Sequence, residues 1–138
     1  MRKVLVVDDD PLIRLLLEEI LSDFRTRGIQ ILSADNGRTA LELIKQEEPD
    51  IIFLDVMLPQ MNGFEVCNII KNDLSLKHVY VIMLTAKGQE IDKKKAEEYG
   101  ADYYITKPFT IQDVIKKVME VLGGVSPEKT TPQRSATP

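Results

Sequence analysis

Five short apolar runs alternate along this chain with segments of helical period, and that alternation constrains the fold more than any other feature. The runs are KVLVV (residues 3–7), IQILSA (29–34), DIIFL (50–54), VYVIMLT (79–85) and DYYIT (102–106), each bounded by acids, Gly or Pro. Between them, Leu12, Leu15, Leu16 and Ile20 repeat at helical spacing with Glu18 and Glu19 outward. Ala40, Leu41 and Ile44 follow a cap at Asn36, and Val66, Ile69 and Ile70 follow Gly63. A more polar helix is expected over Ile91 to Tyr99, and a fifth from the cap Thr110 through Val114, Val118, Val121 and Leu122. Strands alternating with helices predict an α/β fold: a doubly wound, five-stranded parallel sheet covered by five helices.

Composition sets the outer limits. The 138 residues suit one domain with a real core, and no apolar run approaches the roughly 20 residues of a membrane span. The opening MRKVLVVDDD carries too short an apolar stretch for a secretory signal, so a cytoplasmic protein with no membrane partner is expected. Cys67 and His78 are single, which excludes a disulfide or a thiolate–imidazole metal cluster within one chain. A net charge of -4 argues against direct nucleic-acid binding. The end of the chain, GGVSPEKTTPQRSATP, is poor in apolar side chains, so a domain over residues 1–122 is expected, followed by a disordered tail over 123–138.

In a parallel α/β sheet, ligands bind beyond the carboxyl ends of the strands. There the first run ends on Asp8, Asp9 and Asp10, the third on Asp55, the fourth on Thr85, and the fifth on Lys107 and Pro108. Two like charges about 4 Å apart repel by roughly 4 kcal/mol at an effective dielectric near 20, so such a cluster calls for a cation beyond Lys107. Every candidate ligand is an oxygen and there is no calcium-loop pattern, so the expected metal is Mg²⁺. With that charge offset, Asp55 is a credible nucleophile toward phosphorus, Thr85 a hydroxyl donor to one phosphoryl oxygen and Lys107 a point charge for another. Asp10 ahead of Pro11 is expected as a helix cap rather than a ligand.

The segments VVDDD, FLDVMLPQMNGFE, MLTAKG and YYITKPF, in this order over about residues 3–122, resemble the receiver domain of two-component response regulators, of which chemotaxis regulators are the stand-alone form. The resemblance implies a flavodoxin-like strand order of 2-1-3-4-5. It implies that Asp55 accepts phosphate from the phosphohistidine of a sensor histidine kinase or a phosphotransfer protein. Asp8, Asp9, Asp55 and the carbonyl of Met57 would hold Mg²⁺, with Asp8 acting largely through water. Thr85 and Lys107 would sense the phosphate, the Lys107–Pro108 bond would be cis, and Met57 and Lys87 would tune the phosphoryl lifetime. Tyr104, expected near the surface, would turn inward as Thr85 is drawn to the phosphate, changing the surface of helix 4, strand 5 and helix 5. The output would be a separate effector protein, with the chain a monomer or a phosphorylation-dependent dimer. Catalysis would be limited to self-phosphorylation and slow self-dephosphorylation, so no enzyme in the ordinary sense is expected. The alternatives are a haloacid-dehalogenase-like phosphatase, suggested by Asp8-Asp9-Asp10-Pro11-Leu12, a flavin or dinucleotide module, which DDDP does not favour, and an unphosphorylated adaptor of the same fold.

Overall fold

The computed structural model describes residues 2–86 and 93–123. In chain order the elements are β1 (Arg2–Val7), α1 (Pro11–Leu21), β2 (Ile29–Ala34), α2 (Gly37–Glu47), β3 (Ile51–Asp55), α3 (Gly63–Asn68), β4 (Tyr80–Ala86), α4 (Lys93–Tyr99), β5 (Tyr103–Lys107) and α5 (Ile111–Val121). All four strand pairings are parallel and the order is β2-β1-β3-β4-β5. The chain leaves β1 toward β2 on one side and returns to β3 on the other. The carboxyl ends of β1 and β3 therefore flank the point where the winding reverses.

The unbroken apolar run of β3 follows from its central place. Ile51 and Phe53 pack with Val4, Val6 and the α1 and α5 side chains on one face of the sheet, while Ile52 and Leu54 pack with Leu5, Val7 and the α2 and α3 side chains on the other. Period-2 alternation thus gives each face half of the strand, and neither half meets water. Fully burying a side chain such as Phe53 stabilises by roughly 1.5–3 kcal/mol, so this strand is a rigid mount for whatever follows it.

Helix starts obey the expected chemistry. Asp10 caps α1 by accepting the Leu12 N–H at 2.9 Å ahead of Pro11, and Asn36 accepts the Thr39 N–H at 2.8 Å. Thr110 and Asp113 form a reciprocal box at the start of α5, as do Asn62 and Glu65 at α3.

The face of α1 differs from expectation. Leu17, Ile20 and Leu21 are buried, whereas Leu12, Leu15 and Leu16 are 73%, 64% and 44% exposed. This helix is apolar around most of its circumference, and the angle at which it leaves β1 selects which stripe meets the sheet. α3 also departs from a simple helix, continuing as a wider turn over Ile69–Asp73 in which the Leu74 N–H reaches the Ile69 carbonyl at 2.8 Å. That turn points Lys71 inward, where its ammonium meets Asp102 at 2.8 Å. Part of the expected fourth helix, Lys87, and the expected tail from residue 124 onward lie outside the described residues.

Candidate functional site

The site is assembled from strand ends. β1 runs out at Val7, and the Asp8 N–H still reaches the Ala34 carbonyl at 3.2 Å, so Asp8 leaves the sheet as a buried residue with its carboxylate turned to the carboxyl edge. Asp9, the next residue, is exposed. Asp55 closes β3, paired with Leu84 of β4. One carboxylate oxygen from each of Asp8, Asp9 and Asp55 falls within 4.8 Å of the others.

Lys107, at the end of β5, reaches across to this cluster. Its Nζ donates to Asp8 Oδ2 at 2.8 Å and stands 3.5 Å from Asp55 Oδ1. Burial alone would lower its pKa, but the Asp8 hydrogen bond and the charges of Asp55 and Asp8 raise it above the ordinary lysine value. Asp55 moves upward too, chiefly because burial disfavours its charged form. The Met57 N–H, which donates to Asp55 Oδ1 at 3.1 Å, opposes that rise; the Asp8 charge adds to it and Lys107 opposes it.

Other predicted residues occupy the rim. Thr85 is buried at the end of β4, with its hydroxyl 3.5 Å from that of Thr106 and no hydrogen bond to Asp55. The Met57 side chain is exposed beside the site, and the Lys107–Pro108 bond is cis. Tyr104 is half-buried against the α2 and α3 face of the sheet, with its hydroxyl hidden and without a hydrogen-bond partner among the described residues. It therefore rests inward rather than near the surface. Its neighbour Tyr103 takes the exposed side, where the Lys117 ammonium lies 3.7 Å from the centre of the ring. Burial raises the Tyr104 pKa, with the neighbouring Cys67 and Glu97 adding to the effect.

One contact was not foreseen in the sequence. The Arg14 guanidinium donates to the Asp8 backbone carbonyl at 2.7 Å, a contact that depends on where the second turn of α1 falls. At Gly63 a Cβ would lie 2.3 Å from the Asp55 carbonyl oxygen and 2.9 Å from Val56 Cα, so glycine alone lets α3 close under the site. The remaining loose ends have structural uses. Asp10 is a cap, and the Cys67 thiol, pushed up to about 12 mainly by burial, donates to the Tyr99 carbonyl.

A sheet wound in this order carries three carboxylates and one ammonium at its switch point, where sheets of this class bind their ligands. Residues 4–119 match the model of the response regulator receiver domain, and the chain belongs to that family of two-component signalling proteins. Among solved structures it is similar to a CheY-like response regulator receiver domain protein from Methanospirillum hungatei, with 38% identity over 89% of this chain and 95% of that one and a TM-score of 0.74. It is likewise similar to the chemotaxis protein CheY4 of Vibrio cholerae (31% identity, 88% and 98% covered, TM-score 0.77). The receiver domain of the Francisella response regulator 1452 gives 32% identity, 88% and 96% covered, and a TM-score of 0.73. Membership of this family sets aside the phosphatase and flavin alternatives: receiver domains are signalling switches.

Proposed function

We propose that this chain is the phospho-accepting switch of a His-Asp relay and that Asp55 is the acceptor. The observation that carries this reading is the position of Asp55: at the end of a buried central strand, Oδ1 held by the Met57 N–H and Lys107, within the same small cluster as Asp8 and Asp9. In the transfer step an Asp55 oxygen bonds to phosphorus while the P–N bond of a phosphohistidine breaks. The leaving imidazole keeps the electron pair and takes up a proton.

The donor set fits Mg²⁺: three carboxylates able to converge, all hard oxygens. Asp8, Asp9, Asp55 and the Met57 carbonyl would hold it, and when bound it would offset negative charge on the phosphoryl oxygens. Lys107 is already placed to pair with a phosphoryl group as a point charge. Thr85, buried at the end of β4, would offer its hydroxyl to another phosphoryl oxygen.

Acylation of Asp55 adds roughly two negative charges at a spot where Lys107 is shared between Asp8 and Asp55, so the pull on Thr85 and Lys107 changes. Tyr104, three residues before Lys107 on β5, would read this change through the strand; its hydroxyl has no hydrogen-bond partner among the described residues. The readout surface is the face of α4, β5 and α5. There a groove of about 400 Å³ is lined by Tyr103, Thr106, Pro108, Lys116 and Lys117, which suits a separate effector protein or a second phosphorylated copy. The exposed leucines of α1, Leu12, Leu15 and Leu16, border the acidic end of β1 and would give a histidine kinase or phosphotransfer protein its apolar contact. Met57 beside Asp55, together with Lys87, would set how readily water reaches the acyl phosphate. The reading places the chain in the cytoplasm as a domain over residues 1–122 with a tail beyond.

Incubation with acetyl phosphate and Mg²⁺, followed by intact mass, tests this. Wild type should gain one phosphoryl group, and Asp55→Asn none. An unchanged wild-type mass would favour the unphosphorylated adaptor.

A further inference from the structure

We infer that Arg14 is a positioning residue for Asp9, acting through the backbone of Asp8. The inference rests on the proposed cation-assisted acceptor site and extends it to a side chain that touches neither cation nor phosphate. Arg14 is half-buried and, among the described residues, makes no ion pair; its Nη1 goes instead to the Asp8 carbonyl at 2.7 Å. That carbonyl lies just past the last β1 pairing, Val7 with Ala34. Without the guanidinium it would lack a partner among the described residues in a partly buried place.

The Asp8 carbonyl and the Asp9 N–H belong to one planar peptide, so anchoring the oxygen fixes the plane from which Asp9 departs. The three acids of the loop differ sharply in how they are held. Asp8 Oδ1 accepts the Asp10 N–H at 2.9 Å and its Oδ2 accepts Lys107, while Asp10 is committed to the Leu12 N–H. Asp9 is exposed, and among the described residues its carboxylate has no hydrogen bond. Its aim into the cluster is therefore set by the backbone, which the Asp8 side chain holds at the Asp10 N–H and Arg14 holds at the Asp8 carbonyl. The grip is itself rigid: the Arg14 N–H closes the first turn of α1 on the Asp10 carbonyl at 3.1 Å, and the planar guanidinium leaves little play.

A positive charge this near the cluster would by itself oppose a second cation, whereas correct placement of Asp9 would favour it. The two effects have opposite signs, so binding distinguishes them. Calorimetric titration of the full chain with Mg²⁺ should show Arg14→Met about tenfold weaker than wild type, the scale seen when the partner that orients a metal ligand is lost. Arg14→Lys, which can still reach the carbonyl, should stay within about twofold of wild type and guards against a folding artefact in the methionine variant. In the metal-free protein the Asp9 amide should lose rigidity by NMR relaxation in Arg14→Met and keep it in Arg14→Lys. Binding in Arg14→Met as tight as wild type or tighter, or an unchanged Asp9 amide, would overturn the inference while leaving the acceptor site intact. A wild type that binds no Mg²⁺ would overturn both.

Discussion

Two lysine–aspartate pairs sit at opposite ends of this sheet, each closed to 2.8 Å, and they are built for different ends. At the amino ends of β4 and β5, Lys71 faces Asp102 alone. Asp102 Oδ2 also accepts the Val81 N–H at 2.8 Å, and Lys71 also donates to the Lys77 carbonyl at 3.3 Å. Each charge has its counterpart and each further bond goes to backbone, so that pair ties the turn after α3 to the sheet. At the carboxyl ends, one ammonium serves Asp8 and Asp55, with Asp9 beside them. The first arrangement is saturated. The second is short of positive charge, and that shortage is what a cation and a phosphoryl group can exploit.

Three substitutions can break or sharpen this contrast. The largest loss of stability is expected from Lys71→Met. Removing one partner of a well-buried pair costs about 3–5 kcal/mol, and because the Asp102 side chain is 30% exposed and keeps the Val81 N–H, about 2 kcal/mol is expected in urea unfolding. Phosphoryl uptake by the folded fraction should be unchanged, and a fall in uptake would undo the distinction between the two ends. Lys107→Met should reverse that pattern. It should cost about 1 kcal/mol in metal-free protein, as the acids lose their counter-charge, with saturating Mg²⁺ making up the loss in the same urea experiment.

The smallest effect is a gain. The Asp55 pKa is raised, chiefly by burial, so the folded state disfavours the anion, and stability falls as pH rises from the ordinary value of 3.8 through the raised one. Asp55→Asn removes that burden and should raise the metal-free Tm at pH 7, as melting curves would show. The gain should fade as pH drops through the raised value, where wild-type Asp55 is itself neutral. The raised Lys107 pKa acts in the same direction in a higher window: its contribution is complete below 10.5 and is lost as pH climbs through the folded value. Melting curves across pH separate the two.

The same contrast explains what could be read from sequence. Acids placed at the ends of apolar runs announce themselves, because strand period and parallel topology carry Asp8, Asp9, Asp55, Thr85 and Lys107 to one edge without further information. Lys71 gives no such sign. A lysine on a helix is ordinarily solvated, and only the widened turn after Ile69 aims it inward. The stripe of α1 that meets the sheet was equally hidden, since leucine or isoleucine occupies seven of the eleven positions in PLIRLLLEEIL and several stripes satisfy the same period. Tyr103 and Tyr104 had to face opposite ways, but which faced inward depended on the core under α2 and α3 rather than on the pair itself.

The most direct test of the carboxyl-edge assignment is chemical mapping of the phosphorylated residue. Protein treated with acetyl phosphate and Mg²⁺, then reduced with borohydride, converts an aspartyl phosphate to homoserine, which peptide mass analysis locates. Homoserine at position 55 and nowhere else is the expected result; homoserine at 8, 9 or 10, or at no position in protein that binds Mg²⁺, would contradict it.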